Sequence, residues 1–98
     1  MEKIETFANP WDAIAESPAE AANLLARAEL MLSITEIIRH NAWKQADAAI
    51  HCGVTQPRVN DLLRGRVSRF SLDALVNIVS ALGYRVHFDV KKMEAQAA

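Results

Sequence analysis

Gly53 restricts this chain more than any other residue. The triplet Cys52-Gly53-Val54 separates two short helical patterns. The first covers Lys44–His51, with Ala46, Ala49 and Ile50 apolar on one face. The second starts at Thr55 and runs to about Arg64, with Val59, Leu62 and Leu63 apolar. Helices this short are marginal on their own in water, so each must pack against something. A three-residue link leaves them little choice but each other. Gly53 can take the left-handed turn conformation at no steric cost. Ala49 then falls where the two helices come closest and a small side chain is needed. Thr55 is an N-cap candidate, and Pro57 lies in the first helical turn, where a missing N–H costs little.

The flanking segments read as helices too. Ser17-Pro18-Ala19-Glu20 predicts an N-cap, a proline at the first helical position and a capping box. Leu24, Ala28, Met31, Ile34 and Ile38 follow at helical spacing, widened by Leu30 and Ile37, so a helix is expected over about 18–41. Arg66–Phe70 reads as a loop. Ser71 caps a further helix, Leu72–Leu82, with Leu72, Leu75, Val76, Val79 and Leu82 as its stripe and Gly83 just beyond.

The period then changes. Tyr84, Val86, Phe88 and Val90 alternate with Arg85, His87 and Asp89, which predicts a half-buried strand over 84–90. A lone strand leaves its backbone groups unpaired. Its partner is either the same strand of a second copy or a piece of the N-terminal arm. The expected organisation is a single domain over 1–98. It comprises an arm at 1–16, a helical core at 17–83, the strand at 84–90 and a tail at 91–98. In the arm, Asn9-Pro10 reads as a turn, and Trp11–Ala15 can start a short helix. Trp11 serves either to pack the arm onto the domain or to bind a partner.

Composition excludes several classes. With 51% apolar and 23% charged residues, a packed core is expected rather than disorder. One cysteine rules out an internal disulfide framework. His51 and Cys52 are adjacent rather than spaced for a metal, and no cofactor or metal site is expected. No convergent catalytic set is visible, which points to a non-enzyme. No apolar run approaches the roughly 20 residues of a membrane span, and residues 1–12 do not resemble a signal peptide. The expected location is the cytoplasm.

The net charge of −1 conceals a split. Residues 1–36 hold seven acids and two bases, a net −5, and residues 37–98 hold nine bases and five acids, a net +4. Between Val54 and Arg69 there are four arginines and one acid, Asp61. Such a basic stretch beside two short helices joined by a glycine turn is the pattern of a helix-turn-helix DNA-binding unit. Its second helix leaves polar side chains that can meet base edges: Gln56 and Arg58 first, Asn60 and Asp61 next. Phosphate contacts are expected from Gln45, Thr55, Arg64, Arg66 and Arg69. Gln45 can act together with the free N–H groups at its helix start.

The segment from about Ile34 to Leu82 resembles the Cro/cI-type (XRE) helix-turn-helix family. The likeness rests on Gln45-Ala46-x-x-Ala49, Gly53-Val54-Thr55-Gln56-x-x-Val59 and Leu63-Arg64-Gly65. The wider outline is similar to small HigA-like regulators. That likeness rests on Phe7–Ile14, Gln56-Pro57-Arg58-Val59, Phe70-Ser71-Leu72-Asp73-Ala74-Leu75 and a C-terminal strand. Pro57 departs from the family pattern, which often has a polar residue there. The resemblance implies a mainly α, lambda-repressor-like bundle of four to five helices that acts as a homodimer, and the one C-terminal β-strand is then expected to pair across the dimer, with pairing within the chain as the alternative. It also implies a repressor of a near-palindromic double-stranded DNA operator, and an antitoxin partnered by a RelE/HigB-like ribonuclease. The alternative is a stand-alone or phage-type regulator without a toxin.

Overall fold

The computed structural model describes residues 15–92. The expected short helix at Trp11–Ala15, the residues of the HigA-like outline before Ala15 and the end of the tail lie wholly or mostly outside that range. Among the described residues, four α-helices are formed: α1 (Pro18–His40), α2 (Gln45–Cys52), α3 (Gln56–Leu63) and α4 (Leu72–Ala81). A 3-10 turn, Val67–Arg69, links α3 to α4 where the sequence suggests an irregular loop.

The helix starts follow local chemistry. Ser17, Thr55 and Ser71 each stand at an N-cap, and their side-chain oxygens accept from Glu20 N (3.0 Å), Arg58 N (3.4 Å) and Ala74 N (3.1 Å). The expected capping box is displaced by one residue. Glu20 Oε1 accepts from the backbone N–H of Glu16, at 2.6 Å, rather than from that of Ser17.

The helix ends share one solution. After α1, α2, α3 and α4, the residues Ala42, Gly53, Gly65 and Gly83 have φ of 56°, 72°, 70° and 89°. Each is followed by an N–H that reaches back five residues: Trp43 to Ile38, Val54 to Ala49, Arg66 to Asp61 and Tyr84 to Val79. This pairing satisfies otherwise orphaned carbonyls. Ala42 does this without the freedom of glycine, at a cost of about 1–2 kcal/mol.

The core forms around α1, which packs against α4, α3 and the 3-10 turn, and α2 joins it through α3 and α4. Phe70, Ile34, Leu62, Leu75 and Val59 are its largest fully buried side chains. Each contributes about 1.5–3 kcal/mol by leaving water, against roughly 1 kcal/mol for a typical cap. Two details differ from the helical stripes expected. On α2 the buried residues are Ala48, Ala49 and Cys52, whereas Ala46 is exposed and Ile50 is 78% exposed. On α4 the inner face is Leu75, Ile78 and Val79. Arg27 ties α1 to the 3-10 turn: its Nη1 donates to Phe70 O at 3.0 Å and Val67 O at 3.4 Å.

The expected strand over 84–90 is not formed within the described chain. Residues 84–92 carry no regular secondary structure there. Tyr84 N is held by Val79 O, and Val86 packs against the core. Tyr84, Phe88 and Val90 remain 56%, 64% and 94% exposed. An alternating segment cannot become a ladder until a second row of N–H and C=O groups is supplied.

Candidate nucleic-acid interface

The interface candidate is built on α2, the Gly53 turn and α3. Buried Ala48, Ala49 and Cys52 of α2 and Val59 and Leu62 of α3 share the common core, with Val54 partly buried against it. That packing fixes α3 and leaves its outer face to solvent. Gln56, the first residue of α3, is exposed, while Arg58 and Asn60 are half-buried. Thr55 uses a lone pair of its hydroxyl to cap α3, which leaves its proton free to donate outward.

Gln45 begins α2 and is exposed. Its neighbour Lys44 is the N-cap and supplies no side-chain acceptor. The first N–H groups of α2 are therefore uncapped by a side chain, and they form the positive end of a helix dipole. Arg64 is the C-cap of α3 and is exposed.

Asp61 stands apart from the other site candidates. By residue type and position it is expected among the residues that read bases. The structure instead buries it to 6% exposure, where the outward reach needed for base contact is absent. Its Oδ1 accepts from Nη1 of Arg66 and from Nη1 of Arg69, each at 3.3 Å. Its Oδ2 lies 3.9 Å from Nη1 of Arg58. A buried carboxylate needs such partners, because unpaired burial is expensive. Arg58 in turn lies over the Phe70 ring, 4.3 Å from guanidinium carbon to centroid. The sequence suggests separate base-reading and phosphate-holding groups; in space, Arg58, Arg66 and Arg69 surround one carboxylate.

Three features escape a sequence reading. Phe70, placed in the linking loop, is a core residue and the platform for Arg58. Arg27 joins helix to turn, and its buried Nε has no partner among the described residues. Trp43 and His51 stack at 3.9 Å between centroids, with 8° between planes. Only the Asp61 cluster had a legible signal: one acid within a run of four arginines.

Burial pushes the Cys52 thiol above its ordinary pKa of 9.0, which disfavours the nucleophilic thiolate. Among the described residues, no group of three or more His, Cys, Asp or Glu side chains could hold a metal ion. Nor is any described helix long and apolar enough to cross a membrane.

A polar-faced second helix, set by a glycine turn against a short first one, defines the helix-turn-helix class. Comparison with known proteins makes this specific. Residues 13–91 match the family described as "Helix-turn-helix domain", and the chain belongs to that family. Among solved structures, one assigned by its description to the XRE family of transcriptional regulators superposes with a TM-score of 0.69. It is 25% identical, and the match covers 81% of this chain and 89% of that one. No curated protein gives a significant match.

Proposed function

We propose that the protein is a sequence-specific transcriptional repressor that binds double-stranded DNA as a homodimer. The observation that carries this reading is the outer face of α3, where Gln56, Arg58 and Asn60 stand on a helix fixed by the Gly53 turn. The similarity to an XRE-family regulator supports it. In this reading α3 enters the major groove. Gln56 and Asn60 pair with adenine edges, and Arg58 forks onto guanine. Gln45, with the open amides of α2, and Thr55, Arg64, Arg66 and Arg69 hold phosphates.

The exposed row Tyr84, Phe88 and Val90 supports dimerisation. Paired with the same segment of a second copy, residues 84–90 become the strand their alternation suggests. Two copies then present two α3 helices to half-sites roughly 34–36 Å apart, so the operator is a near-palindrome. The cytoplasm is the compartment that suits such a protein.

Selection of duplexes from a random pool tests the reading. A two-fold-symmetric sequence should be enriched, and recovery of unenriched DNA overturns it. Arg58→Ala should relax preference at one base pair, costing about 1–3 kcal/mol. Arg64→Ala should weaken all sequences alike and flatten the salt dependence.

A second role is favoured by one observation. The acids Glu16, Glu20, Glu29 and Glu36 are all exposed on or just before α1. Glu29 and Glu36, seven residues apart, share one side of the helix, and that side suits a small basic protein, as an antitoxin would offer to a RelE/HigB-like ribonuclease. Co-purification with a basic neighbour-encoded protein, lost on charge reversal of Glu29 and Glu36, is the expected result. A complex indifferent to those changes removes this role and leaves a stand-alone regulator.

A further inference from the structure

We infer that Asp61 is a positioning residue of the DNA interface: its carboxylate presets Arg66 and Arg69 for phosphate contact without itself touching DNA. The inference rests on the DNA-binding reading above.

The geometry separates holding from consuming. Arg66 and Arg69 each give Asp61 one N–H group, from Nη1, at 3.3 Å. A guanidinium has five N–H donors in a rigid fork, so four remain on each. Both side chains stay accessible, at 37% and 55%, whereas that of Asp61 is 9% exposed. The acid thus lies beneath and the arginines stand above it.

The backbone reinforces this arrangement. The carbonyl of Asp61 accepts from Arg66 N at 3.0 Å, so one residue holds Arg66 by both main chain and side chain. On the other side, Arg27 fixes the carbonyls of Val67 and Phe70. The turn carrying Arg66 and Arg69 is therefore clamped from two directions. Preset donors lose less rotamer freedom when they meet phosphate, and that saving appears as affinity at the correct register. Without the carboxylate, Arg66 and Arg69 repel one another and spread, whereas Arg58 keeps its seat over the Phe70 ring. They still attract DNA, but no longer in one register.

The full chain is tested on the duplex selected by the wild-type protein and on a scrambled duplex of equal length. Asp61→Asn should lower affinity for the selected duplex about tenfold. Affinity for the scrambled one should stay within about twofold or rise, because a negative charge is gone. In a chain also carrying Arg66→Gln and Arg69→Gln, Asp61→Asn should change the ratio of the two affinities by less than about twofold. Equal loss in both backgrounds, or no loss in either, overturns the inference. A merely stabilising Asp61 would lower the melting temperature and leave the ratio unchanged.

A second measurement needs neither DNA nor a variant that folds. Relaxation of the arginine Nε–Hε groups in the wild-type protein should show Arg66 and Arg69 restrained beside a mobile Arg64. Equal mobility of all three overturns the inference. Failure of the wild-type protein to select any sequence would instead strike the DNA-binding reading.

Discussion

The recognition unit and the C-terminal segment are both rich in side chains that one expects to find paired, yet only the first is completed within one chain. Around α3, the buried acid has three basic neighbours, the apolar face is covered and both helix ends are capped. After Gly83, three of the four alternating apolar residues remain in water. The difference lies in reach. Asp61 finds Arg66 and Arg69 five and eight residues away, across a single turn. A strand can be completed only by another strand.

Removing the shared support of the recognition unit should have the largest effect. Phe70→Ala empties a fully buried site and withdraws the ring beneath Arg58. It should cost about 3–5 kcal/mol in urea unfolding. A loss under about 1 kcal/mol would show that the core closes over the gap and that Phe70 is not the keystone of this region.

Next come the helix ends, where the effects have opposite signs. Gly53→Ala meets no atom closer than 4.0 Å, so its cost is conformational, about 1–2 kcal/mol. Ala42→Gly relieves the same strain at the end of α1. It should stabilise by about 0.5–1 kcal/mol, net of the freedom glycine adds to the unfolded chain. Melting temperatures moving in the same direction for both variants would contradict this account.

The C-terminal segment should behave otherwise. Phe88→Ser with Val90→Ser should change the unfolding free energy of the single chain by less than about 0.5 kcal/mol. The same pair should abolish association in sedimentation. A large loss of single-chain stability would show that the segment is completed from within.

The smallest effect is pH-dependent. The buried Cys52 thiol is raised above 9.0, so the folded state favours the neutral form. The stabilisation from keeping it neutral is complete below the unfolded value and is lost as pH climbs past 9.0 towards the folded one. Wild-type stability should therefore fall faster above pH 9.0 than that of Cys52→Ala. Parallel curves would show that the thiolate is tolerated.

Legibility in the sequence tracked distance along the chain. Ser17, Thr55 and Ser71 were readable as caps because each bonds an N–H three residues away. The Gly53 turn was readable for the same reason. The buried face of α2 was less so. In eight residues, an Ala46-Ala49-Ile50 face and an Ala48-Ala49-Cys52 face are both plausible, and only the position of α3 and α4 selects between them. Phe70 carried no periodic signal at all, since it sits in a linking turn.

The same boundary runs through the candidate site. The residue types, the glycine turn and the charge split were present in the linear chain, because hydrogen bonding over three or four residues and side-chain polarity are local properties. The roles of those residues were not. Whether an aspartate faces a base or anchors arginines depends on which guanidinium groups lie above it, and burial belongs to the assembled core. Polarity made Asp61 look like a reader; packing made it a support. Likewise, alternation at 84–90 specifies a strand only as a capacity, because its hydrogen bonds need a second strand that no local pattern can provide.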